Sequence, residues 1–469
     1  MKASIPWCLL SSLILAACAG RKGTGAPSGG QGGGSAGGSP GGGGATGGSG
    51  ASGSGTAGST GTARVNTCAG GAAPVVMNAR LPAGFCALTW ADNVNAVRGI
   101  AVAPNGDVLA IDSGANRVIL LHDANGDGRS DATERVTLAS EPDLNHGIVL
   151  SGGFLYASSP TTVYRWPFAS GARSPLGASE IVVSGIPSGG HTTRTLRVGV
   201  DNQLYVSLGS GSNVDPNAAR AAIRRFDLST AIPAGGWAFS SGQVFADGLR
   251  NEVGLAFDSQ NRLWGVENGT DDVFRTDLGD VHDDNPAEEV NLFAQAGHFY
   301  GYPFCWSEHL LPAPFGRGPG TQWAHETFWM DGVHTDSWCR DATNVVPPAA
   351  TIPAHSAPLG IVFYPGGSFP PAMVGGAFVA LHGSWDRTTP TGYKVVYFPF
   401  TNIGNPGAGS GGGLPSGPMQ SFFEFVGPGA TDATLWPHRP VDLAVGTRGQ
   451  LFVSSDASNS ILWIGHDGT

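Results

Sequence analysis

The residues with the most chemical potential gather around His191. It stands in Gly189-Gly-His-Thr-Thr-Arg194, a Gly-rich segment that precedes a short apolar run, a polar turn and a second apolar run ending at Gly209. That second half reads as a β-hairpin. The hairpin recurs along the chain and the histidine does not, so the hairpin speaks for fold and His191 for chemistry. Two further groups suggest ions. Asp123-Ala-Asn125-Gly-Asp127-Gly128-Arg-Ser-Asp131-Ala-Thr-Glu134 matches a calcium-loop pattern at every fixed position. Oxygens at alternating positions suit a hard cation, Gly128 permits the sharp turn, and Glu134 can give two oxygens. An Asx-rich turn without an ion uses the same residue types. No strong amphipathic helices flank the loop, so the ion site expected is a clip between strands. Acidic residues crowd again at 267–272 and 283–289. Carboxylates at that density repel unless cations or basic groups lie among them. A second calcium site and a solvated acidic loop both satisfy this pattern. Arg387 and Lys394 place two cations near aromatics in a chain poor in basic residues. That suits an anionic ligand with a planar ring; charges that steady a surface loop are the alternative.

The elements that must position these residues come from the repeat. Six stretches share small apolar residues, a turn rich in Gly, Asn or Asp, and a second apolar strand. They begin at Gly99, Gly147, Leu196, Gly254, Gly360 and Asp442. The first three starts lie about one propeller blade apart. A lone hairpin cannot bury both faces, whereas stacking several around an axis does. The predicted fold is all-β, a six-bladed β-propeller with loop insertions; an irregular array of β-sandwich or barrel type is the alternative. The first strand of each blade lines the channel, so residues just before it converge at one end. This collects His146, His191, Arg250, Asn251, His355 and Arg439.

Residues 1–18 read as an export signal: Lys2, an apolar stretch, and Leu15-Ala-Ala-Cys18, the lipobox pattern in which Cys18 takes lipid. Residues 19–66 are dominated by Gly, Ser, Ala and Thr and read as a flexible tether. The propeller domain is expected over 67–469, in a lipoprotein of the outer membrane facing periplasm or exterior. Beyond Arg64 the chain holds 21 basic residues against 36 acidic ones, a formal charge of −15. That argues against nucleic acid as a partner. Once Cys8 leaves with the signal and Cys18 takes lipid, Cys68, Cys86, Cys305 and Cys339 remain. An even number in an oxidising compartment implies two disulfides, and local pairing (68 with 86, 305 with 339) is the simplest of three possibilities. No C-x-x-C-H occurs, which excludes an attached c-type haem. Residues 297–350, rich in Trp, Phe, His and Pro, read as a long loop excursion of the kind that forms substrate pockets.

Several stretches, taken together and in order, resemble the quinoprotein sugar dehydrogenases of the soluble glucose dehydrogenase and L-sorbosone dehydrogenase type. They are His191-Thr-Thr-Arg-Thr-Leu, Tyr205-Val-Ser-Leu-Gly-Ser-Gly-Ser-Asn213, Gly248-Leu-Arg-Asn251, Phe299-Tyr-Gly-Tyr-Pro303, His382-Gly-Ser-Trp-Asp-Arg387, Gly392-Tyr-Lys-Val-Val and Arg439-Pro-Val-Asp-Leu-Ala444. The resemblance runs from about Leu81 to the C-terminus. It implies a propeller that binds pyrroloquinoline quinone (PQQ) over the channel with Ca²⁺ beneath it, and oxidation of an aldose or aldosone. His191 then matches the general base, for which an imidazole's pKa is suited. Arg250 matches the cation beside the quinone oxygens, where reduction develops negative charge. His146, Arg194, Asn251, Arg387, Lys394 and Arg439 fall among expected cofactor contacts. The backbone oxygens of Gly269 and Thr270 and the pair Glu288/Glu289 fall where the family holds its cofactor Ca²⁺. Two departures stand out: an insertion at 274–283 splits the calcium loop of the glucose dehydrogenase type, and Val441 replaces an expected second arginine. The competing readings are a calcium-dependent propeller lactonase and a non-catalytic propeller lipoprotein that binds glycan or protein.

Overall fold

A computed structural model describes residues 72–401, 413–429 and 432–466, together with the backbone of Arg64–Val65. The signal segment and nearly all of the tether lie outside the described residues, as does Cys68. Six sheets, each built on four antiparallel strands, follow one another around an axis, and blades two and three add a short parallel fifth strand. Blade one is Val97–Val102, Val108–Asp112, Arg117–Leu121 and Arg135–Ser140; blade two is Ile148–Ser151, Phe154–Ser158, Val163–Pro167 and Glu180–Ser184. Blade three is Leu196–Val198, Gln203–Leu208, Ala222–Asp227 and Gln243–Asp247. Blade four is Glu252–Phe257, Leu263–Glu267, Glu288–Phe293 and Ala350–Ile352, and blade five is Pro358–Phe363, Ala377–Leu381, Lys394–Phe398 and Gln420–Phe425. Blade six takes Pro440–Val445, Leu451–Ser455 and Ser460–His466 from the C-terminal end and Phe85–Ala91 from the N-terminal side, so the ring closes through strand pairing. The six-bladed propeller expected from the repeat is the fold found.

Period-two alternation holds the blades together. Along the second strand of blade one, Val108 and Ala110 pack towards blade six with Phe452 and Ile461. Leu109 and Ile111, on the opposite face, pack towards blade two with Leu155 and Trp166. Such two-sided burial is why the strands read as nearly continuous apolar runs. Trp166 is 1 % exposed, and its truncation to Ala would cost about 3–5 kcal/mol.

The glycines that open the repeats have a steric cause. A Cβ on Gly99 would lie 2.1 Å from the His146 carbonyl oxygen, and one on Gly147 2.2 Å from that of Arg194. Inner strands of neighbouring blades approach too closely there for any side chain. Serines of the second strands tie the same junctions: Ser158 Oγ donates to the Arg194 carbonyl at 2.7 Å, and Ser454 Oγ to the Arg98 carbonyl at 2.7 Å.

Blade four carries the large insertions, between its second and third strands and between its third and fourth. The latter is stapled by the expected Cys305–Cys339 disulfide. Cys86 is also disulfide-bonded. Because every first strand starts at the His191 end, loops before first strands and between second and third strands share one face. Turns between first and second strands, and third and fourth, share the other.

Candidate active site

On the first of these faces lies a cavity of about 480 Å³, lined among others by His191, Arg98, Arg250, Asn251, His382 and Arg439. His191 is set by an unusual turn. Gly190 has φ +60°, and a Cβ there would lie 2.4 Å from Gly211 Cα, so only glycine fits. The His191 amide donates to the Ser210 carbonyl at 3.0 Å. Its Nδ1 lies 3.0 Å from Ser210 Oγ and 3.2 Å from Ser210 O. Nδ1 is thus the occupied nitrogen, and Nε2 has no protein partner among the described residues. Burial, and then the nearby Arg250, push the imidazole down to about 4. At neutral pH the ring is uncharged and its free nitrogen is a proton acceptor.

Two buried arginines hold that turn from behind. Arg194 is fully buried and donates to the carbonyls of Pro160, Pro187, His191 and Thr193 at 2.6–3.0 Å. Arg220 donates to those of Ser188, Gly189, Gly209 and Ser210 at 2.7–3.3 Å. Arg194 does not line the cavity, which corrects its assignment as a cofactor contact. Its donors are consumed by the loop, so it positions His191.

Arg250 reaches the cavity and pairs with Asp271 at 2.5 Å and Asn213 Oδ1 at 3.0 Å. Across the mouth, Arg98 pairs with Asp456 at 2.8 Å, and Asp456 also accepts from His382 Nε2 at 2.9 Å. Burial works against that carboxylate, yet His382 and Arg98 hold it down at about 2. Arg439 donates to the carbonyls of His382 and Gly383, each at 2.9 Å. Trp385, 73 % exposed, offers a ring face at the rim. The opposite wall is acidic: Asp271, Glu288 and Gly269 line it with His355. Asp271, His355 and Asp386 bring one ligand atom each within 4.8 Å of one another. His355, at φ +60°, turns its Nε2 to the His282 carbonyl at 2.7 Å.

Other expected contacts lie elsewhere. His146 is buried in a separate small void deeper in the channel, beside Arg197 and Asp442. It precedes a first strand, but the inner strands close over it. Arg387 pairs with Asp284 at 2.5 Å and does not line the cavity. Lys394 opens a third strand, so its ammonium points outward to Ser421 Oγ at 3.2 Å and Glu424 at 3.5 Å. The metal set divides. Gly269 and Glu288 line the large cavity, whereas Thr270 and Glu289 line a small one behind Arg250.

The loop with the calcium pattern lies on the far face. Asp123 accepts from the amides of Gly126, Asp127 and Gly128 at 2.7–3.1 Å. Glu134 accepts from those of Ala124, Asn125 and Asp131 at 2.8–3.1 Å. Asn125 and Asp131 cap neighbouring amides. Asp123, Asp127, Asp131 and Glu134 form no three-ligand set within 4.8 Å. Backbone amides thus form an Asx turn around these oxygens, whose remaining lone pairs face outward from the turn's own bonds.

Sequence reasoning passed over Arg98, Asn213, Arg220, Asp271, His382 and Trp385 as single contacts. Arg98 is the second residue of its strand and stands in register with Val441, two places beyond Arg439, so the repeat gave no signal for it.

A profile of the TrAA12-like family matches residues 79–467. The PQQ-dependent sugar dehydrogenase of Hypocrea jecorina is 32% identical over 394 residues, covering 78% of this chain and 85% of its own length. The PQQ-dependent pyranose dehydrogenase of Coprinopsis cinerea is 30% identical over 405 residues, covering 78% of this chain and 52% of its own. The chain thus spans about half the length of that curated relative. The solved holo PQQ domain of the Coprinopsis cinerea pyranose dehydrogenase superposes with a TM-score of 0.71 at 28% identity, covering 83% of this chain and 97% of that one. A calcium structure of the Trichoderma reesei carbohydrate-active enzyme of family AA12 gives 0.71 at 31% identity, covering 86% and 99%.

Proposed function

The chain belongs to the TrAA12-like family of PQQ-dependent sugar dehydrogenases, and on that premise we propose that it oxidises an aldose or aldosone with PQQ held in the His191 cavity. The observation that carries this reading is the pairing of a neutral, oriented imidazole with three arginines at one mouth. The cavity fits a flat polyanion: Arg98, Arg250 and Arg439 supply guanidinium groups and Trp385 a ring face. It also fits a cation, because Asp271, Glu288 and the Gly269 backbone form an acidic wall that would otherwise repel an anion. Ca²⁺ against that wall is part of the proposal.

PQQ, when bound, supplies the acceptor for the two electrons that leave the sugar carbon. The chain's residues do the rest. His191 Nε2 accepts the proton of the sugar hydroxyl, while Ser210 keeps the other nitrogen occupied and the ring oriented. Arg250 stabilises negative charge that develops beside it, and Asp271 and Asn213 hold its guanidinium in place. Asn251 lines the same wall and offers an amide for orientation. Beneath the cavity, Val253, Leu359 and Val441 close the axis with apolar side chains. That plug accounts for an apolar residue at Val441.

The test is reconstitution with PQQ and Ca²⁺, then dye reduction with a panel of aldoses and aldosones. Activity with at least one sugar is expected, and none across the panel would contradict the proposal. The cell-envelope reading is also a proposal; it rests on Lys2, the apolar stretch and Leu15-Ala-Ala-Cys18. Metabolic lipid labelling that persists in Cys18→Ala would overturn it.

A further inference from the structure

The face opposite the His191 cavity carries a second, larger recess. It lies where the far-face turns of blades six and one meet, and its volume is about 780 Å³ against about 480 Å³. Ligand pockets fall at roughly 300–1,000 Å³. Its blade-six side is aromatic. Trp90, Trp463 and Phe452 line it from three neighbouring strands. Trp90 and Phe452 meet edge to face with centroids 5.0 Å apart, and Phe452 pairs across strands with Trp463. Trp463 is half-buried. Its ring lies against Gly465, where a Cβ would come within 2.1 Å of it, so glycine gives the indole room along the strand.

The blade-one side is polar and held in place. Asp107, 5 % exposed, accepts from Asn105 Nδ2 at 2.6 Å and from both terminal nitrogens of Arg173 at 2.6 and 2.8 Å. Asn105 Oδ1 accepts from Ser170 Oγ at 2.8 Å. Arg173 keeps unused N–H donors after these bonds. Three further lining groups are unpaired. His122 Nδ1 is buried without a hydrogen-bond partner. Gln450 Oε1 accepts from the Arg448 amide at 3.1 Å, but Gln450 Nε2 and the Arg448 guanidinium have no protein partner among the described residues.

We propose that this recess binds a neutral oligosaccharide. Its charges balance: a polyanion would meet Asp107 and Asp123, and a polycation would meet Arg173 and Arg448. An apolar ligand would leave His122, Arg448 and Gln450 dry and unpaired, at a cost in free energy. A hydroxyl both donates and accepts, so it matches a wall that sets carboxylates beside guanidinium and amide donors. The C–H face of a pyranose, slightly positive, suits the negative face of an indole. Asp123, Thr447 and Arg448 at the rim are exposed, which lets a chain of several sugars run out of the recess. Because the two recesses lie on opposite faces, a saccharide held here leaves the His191 cavity free. The proposal holds whether or not that cavity oxidises a sugar.

The test is isothermal titration calorimetry of the full chain without PQQ, with cellopentaose and maltopentaose as neutral ligands and pentagalacturonate as their charged counterpart. Saturable binding of at least one neutral pentamer is expected, with His191→Ala unchanged. Trp463→Ala should weaken it roughly tenfold or more. Arg448→Ala should weaken it about three- to tenfold, the loss of one hydrogen-bonding partner, without moving the melting temperature. Should Trp463→Ala fail to fold, Arg448→Ala still decides. Failure of both neutral pentamers to bind, binding that the variants leave unchanged, or tighter binding of pentagalacturonate would each overturn the proposal.

Discussion

His191 Nδ1 sits between Ser210 Oγ at 3.0 Å and Ser210 O at 3.2 Å, so the imidazole presents its unprotonated Nε2 to the cavity. The backbone carbonyl alone is sufficient as an acceptor. Ser210→Ala should therefore reduce turnover far less than loss of the ring.

His191→Ala removes the proton acceptor and leaves the arginines in place. Turnover should fall by roughly 10²–10⁴-fold, while PQQ affinity stays within a few-fold of wild type. Single-turnover dye reduction and a PQQ titration on the same sample separate the two quantities.

The pH profile should carry the same signature. Burial and Arg250 lower the imidazole to about 4, and the base works only when neutral. Activity should therefore hold as pH falls through 6.5 and be lost only as it falls through about 4. Arg250→Gln removes one of the depressing charges, so its acid limb should move upward. An acid limb at the ordinary histidine value in the wild type would count against His191 as the base.

Arg194 makes four contacts to carbonyls around the His191 turn. Arg194→Ala strands these acceptors, each worth about 1–3 kcal/mol when left unsatisfied. The melting temperature and turnover should fall together, with PQQ affinity changed least. Thermal melts and initial rates on one preparation check this.

Lys394 points to Glu424 and Arg98 to the cavity. Lys394→Ala should leave the PQQ dissociation constant unchanged. Arg98→Gln should weaken it by about 10–100-fold, the effect of one charge-assisted hydrogen bond.

The propeller was legible because its repeat has a physical cause: glycines such as Gly99 and Gly147 lie where inner strands nearly touch. Residues ahead of first strands were legible for the same reason, and His191, Arg250, Asn251 and Arg439 meet as that rule requires. His146 shows its limit, because position ahead of a strand does not say how deep a side chain points. Asp271, His382 and Trp385 were harder to assign, since they arrive from loops between second and third strands. Lys394 looked like a cavity cation through its nearness to Arg387 and through the resemblance of Gly392-Tyr-Lys-Val-Val; strand direction sends it outward. The loop at 123–134 matches a binding pattern, and its carboxylates also accept from its own amides.

The most direct test of the central claim is an absorbance titration of the Ca²⁺-loaded chain with PQQ, followed by addition of an aldose. The account predicts saturation at one PQQ per chain and a shift to the reduced spectrum on sugar addition, with His191→Ala binding equally but remaining oxidised. No saturable binding, or His191→Ala reduced as fast as wild type, would contradict it.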